Sequence, residues 1–307
     1  MKHFLILVLI DSRTWNIYRK LQPCEAQPDL NGNPFLRALE FYLETKREQK
    51  RLGVEGGIAA QKINFIDFNM RKLSLLFTKD GLQWQISKSK KVLDEKIWLK
   101  DEETPANLVT EKLDEVLASE KFSEISVISA INHFSVVEEG FDQHDLGYDL
   151  IAYNADVRKD SEELMLSVNK KFGVQFYYSF PKDYYQKIKA LEVPVHFNFS
   201  GEKFLNSLNV KNRKEIHVNL YHQQAEFFAI ENKKMVLYNN LDATSEVDFL
   251  YFIMFTLSKI DFGITETYFY IYGETTENET FISEMQKFVP NLKIVFDNLH
   301  KKNFVLA

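Results

Sequence analysis

From Arg71 onward, apolar and polar residues alternate in short runs: Leu73 to Phe77, Leu82 to Ile86 and Val92 to Leu99. A period of two marks strands that turn one face to a core. Lys79-Asp80-Gly81 and the basic stretch Lys88 to Lys91 separate the runs as tight turns, so the segment predicts a three-stranded meander. Beyond it the period changes. Leu108, Val109, Leu113, Val116 and Leu117 fall at helical spacing within Ala106 to Ala118, and Ile125 to Ile131 returns to a strand. The unit is β-β-β-α-β.

A single shift that carries Leu73 onto His217 lays this unit over a second one in the C-terminal third. It sets Phe77 on Tyr221, Trp84 on Phe228, Ile86 on Ile230, Val109 on Ile253, Leu113 on Leu257 and Val127 on Ile271. Each change of period is a chance to lose phase, so agreement through strands and helix argues for a duplication. Trp84 and Phe228 are then expected at equivalent core positions. Between the repeats, Leu164 to Val168 and Val174 to Phe180 read as strands. Pro181 opens a helix to Leu191, Val193 to Phe199 is a strand, and Ser200 caps a short helix through Leu208. After the second meander, Glu246 to Ile260 predicts a helix apolar nearly all round, and so buried between layers. Tyr268 to Tyr272 then reads as a strand, Glu279 to Phe288 as a helix and Leu292 to Phe296 as a last strand.

Residues 1–61 have a different texture. Pro23, Pro28, Pro34 and the glycines Gly53, Gly56 and Gly57 bracket one charged helix over Phe35 to Arg51, which reads as an appendage. The apolar run Phe4 to Ile10 is short for a signal peptide, and charged residues follow it where a cleavage site would stand. No run approaches the roughly 20 apolar residues of a membrane span. A soluble, cytoplasmic protein without membrane insertion is expected.

Composition narrows the chemistry. Aromatic residues make up 14% of the chain, with 26 Phe and 14 Tyr, in keeping with a β-rich fold. A net charge of -6 argues against nucleic acid as a partner, because that affinity rests on Lys and Arg neutralising phosphates. The single cysteine, Cys24, excludes an internal disulfide framework and a cysteine-based zinc cluster. His133, His144, His196, His217, His222 and His300 are scattered without metal-ligand spacing, and Asp142-Gln143-His144-Asp145 reads as a solvated loop. No Gly-x-Ser-x-Gly elbow, Walker loop or Rossmann fingerprint is present.

Two β-β-β-α-β units in tandem resemble the superfold of actin, the seventy-kilodalton heat-shock chaperone and the sugar kinases. The stretches "FFAIENKKMVLYNN", "DFLYFIMFTL" and "TYFYIYGE" more specifically resemble an uncharacterised bacterial family of the Bacteroidota, the domain of unknown function 3822. Its members are similar to actin-like ATPases such as the pilus-assembly actin homologue. The resemblance spans roughly residues 62 to 300 and is sharpest after Ile216. It implies an α/β fold of duplicated ribonuclease-H-like (actin-like) units around a central cleft. The expected organisation is an appendage over 1–61, a first subdomain over 62–210 and a second over 211–307.

In actin-like ATPases the turn between the first two strands of each repeat clasps the phosphates with backbone N–H groups, and an Asp positions metal and water. Carried onto this sequence, the nucleotide-cleft candidates are Asp80 and Gly81, Gln223 and Gln224, and Gly273 and Glu274. The second turn, His222-Gln223-Gln224-Ala225, has neither glycine nor acid, so neither turnover nor a resident cofactor is expected and ATP with Mg²⁺ should bind weakly at best. The leading expectation is a non-catalytic scaffold or adaptor with a protein partner. The alternative is an active ATPase or kinase with Asp80 as the catalytic carboxylate and Mg²⁺ held between Asp80 and Gln224.

Overall fold

The chain divides into two units, Met1–Asn64 and Phe65–Ala307. The computed structural model describes residues 71–296 other than 80, 90, 101–104, 106, 142, 243–245 and 276–277, with only the backbone of 242 and 246–249. All described residues belong to the second unit, and the helix expected over Phe35 to Arg51 lies outside them.

The meander forms as its alternation dictates. β1 (Arg71–Thr78), β2 (Gly81–Lys88) and β3 (Lys91–Leu99) run antiparallel, α1 (Leu108–Ser119) crosses over, and β4 (Glu124–Ser129) returns parallel to β1. An insertion follows: β5 (Phe134–Glu138), α2 (Gly147–Ala152), β6 (Glu162–Asn169), β7 (Val174–Pro181) and α3 (Lys182–Lys189). β8 (Val195–Phe199) then completes the sheet in the order β3-β2-β1-β4-β8, while β5-β7-β6 make a separate three-stranded sheet. α4 (Ser200–Ser207) leads into β9 (Lys214–Leu220), β10 (Gln224–Glu231), β11 (Lys234–Asp242), α5 (Glu246–Lys259), β12 (Tyr268–Gly273), α6 (Glu279–Phe288) and β13 (Leu292–Ile294). The second large sheet, β11-β10-β9-β12-β13, repeats the first strand for strand. At the β10–β11 turn, Asn232 and Lys233 both take positive φ, the conformation that a two-residue turn between right-twisted strands requires.

Each sheet buries one face under its crossover helices. Leu73, Leu75, Phe77, Leu82, Trp84 and Ile86 pack with Val109, Leu113 and Val116 of α1 and Ile188 of α3. Ile216, Val218, Leu220, Ala225, Phe227 and Ala229 pack with Ile253 and Leu257 of α5 and Phe281, Ile282 and Met285 of α6. The second sheet's other face is buried too. Phe228, Ile230 and Tyr238 there meet Phe204 and Leu205 of α4 and Phe176 and Tyr178 of β7.

The repeat is real but its register differs from the sequence reading. The pairing Leu75↔Trp84 in the first hairpin corresponds to Val218↔Phe227 in the second, so Leu73 matches Ile216 and Trp84 matches Phe227. Phe228 pairs opposite His217 and points to the opposite face. From the helix onward the original shift holds: Val109 and Leu113 match Ile253 and Leu257, and Ile125 and Val127 match Phe269 and Ile271. Relative to the first repeat, the second therefore carries one extra residue between the end of β11 and Ile253 of α5. A one-residue slip exchanges the two faces of a strand, and β10 hides it because both its faces are apolar and buried.

Other expectations shift by smaller amounts. Pro181 is the N-cap of α3 rather than its first residue. Ser200 is the first residue of α4, preceded by Phe199 as N-cap, and its hydroxyl leaves the helix end for Glu226. The last strand stops at Ile294. The helix read as buried all round is not: Tyr251, Phe252 and Phe255 of α5 are exposed. β5 and α2 went unread because each is too short for its period to register.

Candidate functional site

The β1–β2 turn and the β9–β10 turn meet, and one side chain joins them. Gln224 opens β10 and is 0% exposed. Its Oε1 accepts a hydrogen bond from the backbone N–H of Lys79 in the first turn, at 3.3 Å. Its Nε2 donates to the carbonyl of Ala130, just past β4, and to Asn240 Oδ1 at 2.7 Å. Asn240 Nδ2 donates to the same Ala130 carbonyl at 3.2 Å. The hydroxyphenyl of Tyr221, in the second turn, packs with Leu76, Ile128 and Ala130 of the first half. The register explains why a side chain can stand here, since the shift that carries Leu73 onto Ile216 carries Gly81 onto Gln224.

The remaining candidates can be placed on this seam. Asp80 lies outside the described residues. Gly81 is buried at the start of β2, where a Cβ would come within 1.8 Å of the Trp98 carbonyl oxygen. Its missing side chain thus admits β3 rather than a ligand. Gln223 is exposed. Gly273 ends β12 with φ +89°, and a Cβ there would meet the Leu220 carbonyl oxygen at 2.2 Å. The N–H of Glu274 donates to that same carbonyl at 2.9 Å. Asn278 Nδ2 closes the corner by donating to the carbonyls of Tyr221, at 3.2 Å, and Glu274, at 2.6 Å. Gly273-Glu274 and the Gln223-Gln224 turn are thus brought together, and Gln224 reaches the first turn. Asn240 and the Ala130 carbonyl escaped the sequence reading: one is a polar residue in an apolar strand, the other a backbone group with no sequence signal. Among the described residues no group of three or more His, Cys, Asp or Glu gathers as a metal site, and no helix is long and apolar enough to cross a membrane.

Residues 60–292 match the model of a family described as protein of unknown function (DUF3822). The chain belongs to that family. No curated protein matches it. Among solved structures, a Bacteroides thetaiotaomicron VPI-5482 protein with an actin-like ATPase fold and unknown function is similar, with a TM-score of 0.66 at 17% identity over 79% of this chain and 96% of that one. The type IV pilus biogenesis complex PilM–PilN follows at 0.48 and 11% identity, over 76% and 93% of the two chains. The cytoplasmic domain of EpsL, an inner membrane component of the Vibrio cholerae type II secretion system, reaches 0.41 and 10%, over 77% and 98%. The duplicated sheets and the first of these likenesses make this DUF3822 chain a member of the actin-like fold.

Behind the seam, the DUF3822 chain buries two carboxylates on the inner face of its second sheet. Glu226 is 0% exposed and accepts four hydrogen bonds: from Asn219 Nδ2 at 2.9 Å, Tyr221 Oη at 2.7 Å, Ser200 Oγ at 3.0 Å and Tyr238 Oη at 2.9 Å. Burial pushes its carboxyl above the ordinary range, against the pull of those donors. Ser200 comes from α4 and Tyr221 from the seam, so the carboxylate ties the sheet to both. Glu215, on the same face of β9, accepts from Arg213 Nε at 2.9 Å and from His217 Nε2 at 3.3 Å, while His217 Nδ1 accepts from Tyr272 Oη at 3.1 Å. Burial lowers the His217 pKa against the opposing pull of Glu215, which suits a neutral imidazole. Burial works to raise Glu215, but His217, the Lys211 N–H and Arg213 together hold it below the ordinary range.

Proposed function

We propose that this chain is a non-catalytic actin-like scaffold or adaptor that acts through a protein partner and not through nucleotide turnover. The observation that carries this is the Gln224 bridge. Phosphates in this fold need free backbone N–H groups on the two facing turns. Here the Lys79 N–H is taken by Gln224 Oε1, and the glycine of the first turn is pressed on Trp98. The N–H of Glu274, at the third corner, is spent on Leu220. These residues do not fit a triphosphate with its metal. Admitting one would displace the Gln224 amide, leave the Ala130 carbonyl with Asn240 Nδ2 alone and strand Asn240 Oδ1, at about 1 to 3 kcal/mol for a buried unsatisfied group. That amounts to about one to two orders of magnitude in affinity. An actin-like protein without turnover then acts through what it binds.

Calorimetric titration with Mg-ATP and a phosphate-release assay on the purified protein test this reading. Binding at best weak and no phosphate release are expected. Tight binding with hydrolysis abolished by Asp80→Ala would establish the active ATPase or kinase instead.

A further inference from the structure

β6 and β8 each lie at the edge of a sheet, and with α4 they frame a groove of about 460 Å³. The two edges are tied together where the Phe199 N–H of β8 donates to Ser167 Oγ of β6, at 3.2 Å. Glu202, in the first turn of α4, lines the groove and is 8% exposed. Its Oε1 accepts from Asn169 Nδ2 at 3.1 Å and its Oε2 from Asn198 Nδ2 at 2.7 Å, and no cation pairs with it among the described residues. Donors on both oxygens mark it as the carboxylate. Such a group offers about four lone-pair sites, so acceptor capacity remains for whatever enters the groove. Tyr178 is 1% exposed and its hydroxyl has no hydrogen-bond partner. Its polar neighbours are Ser167 and Glu202, both of which line the groove. Burial raises the pKa of this hydroxyl, so it keeps its proton at neutral pH and has it to donate.

We propose that the groove is a binding site for a sugar or a similar polyol, with one ligand hydroxyl seated between Glu202 and Tyr178. Glu202 accepts and the Tyr178 O–H donates, so a group that satisfies both must itself donate and accept. A hydroxyl does. An ammonium or guanidinium would meet Glu202 but has no lone pair for Tyr178. A phosphate or carboxylate would meet Tyr178 but is repelled by the charge of Glu202. Further along α4, Lys203 and Asn206 line the same groove one helical turn apart and offer donors to other ligand oxygens. The volume is that of a small-molecule site. An extended peptide would find unpaired strand edges here, but the bond from Phe199 to Ser167 ties those edges together and stops a strand from running between them. The inference stands apart from the scaffold reading, since none of Lys79, Gln224 and Asn240 lines the groove.

Calorimetric titration of the full chain with glucose, galactose, mannose, N-acetylglucosamine and myo-inositol tests it. At least one should bind, and Glu202→Gln and Tyr178→Phe should each raise its dissociation constant about tenfold, as loss of one hydrogen bond in a buried site does. Without ligand, Tyr178→Phe should melt no lower than the wild type, because the hydroxyl it removes has no partner within the protein. A merely structural hydroxyl would behave the other way. Should Glu202→Gln fail to fold, Tyr178→Phe decides alone. Absence of binding by every one of these probes overturns the inference, as does binding that survives the substitutions. A Tyr178→Phe protein that melts lower and binds unchanged overturns it too, by placing the partner of that hydroxyl within the fold.

Discussion

Glu226 shows how much one residue is asked to do in this fold. A carboxylate with no cationic partner is costly to bury, and four neutral donors offset part of that cost, each hydrogen bond to a charged group contributing about 1.5 to 3 kcal/mol. The balance still shifts towards the protonated form relative to the unfolded chain, because burial raises the folded-state pKa. The sign follows by linkage. Stability from this group is fully present at pH below the unfolded value and is lost as pH rises through the folded one. Urea melts of the wild type and of Glu226→Gln across acid to neutral pH should therefore differ by an amount that moves against the wild type as pH rises. A difference that stays flat with pH would show that the carboxylate titrates as it does in the unfolded chain. Glu215, held low by His217, the Lys211 N–H and Arg213, has the opposite sign: its contribution disappears as pH falls.

At the scale of strands, Phe227 and Phe228 divide the core between them. Phe227 belongs with α5 and α6, whereas Phe228 lies 4.5 Å from the Tyr238 ring and 5.6 Å from that of Phe204. Phe227→Ala and Phe228→Ala should each cost about 3 to 5 kcal/mol in chemical denaturation, as deletion of a buried aromatic does. Only Phe228 should couple to Tyr238 in a double-mutant cycle, by about 0.5 to 1.5 kcal/mol. Coupling of Phe227 instead would restore the register read from the sequence. That reading recovered the two meanders, both crossover helices and the duplication, because one-sided alternation and helical spacing are local signals. It lost the phase at Phe228 because a strand apolar on both faces has no preferred side until its partner is known. For the same reason the exposed stripe of α5 read as core. At the candidate site, the turns were legible as turns and the second as lacking a glycine, but the one-residue slip set Ala225 rather than Gln224 over Gly81. The partners of Gln224 were not legible, since Lys79, Ala130 and Asn240 reach it only through tertiary pairing.

At the largest scale, the described residues set two equivalent five-stranded sheets beside the smaller β5-β7-β6 sheet, and the two equivalents have unequal connections. In the second half the fourth and fifth strands, β12 and β13, are linked by α6 alone, and Phe269 pairs with Leu292. In the first half the whole β5-to-α3 insertion intervenes, and Ile125 must find Val195. Closing a longer loop costs more chain entropy, though only about 0.6 kcal/mol for each doubling, and pairings distant in sequence form late. The order of assembly should thus run against the order of synthesis. Amides of β12 should gain protection in pulse-labelled hydrogen exchange before those of β4 and β8, and simultaneous protection would refute this. The nascent first half would then wait with one edge of β4 unpaired until the insertion folds back, which makes that edge the place where the newly made chain most needs shielding from its neighbours.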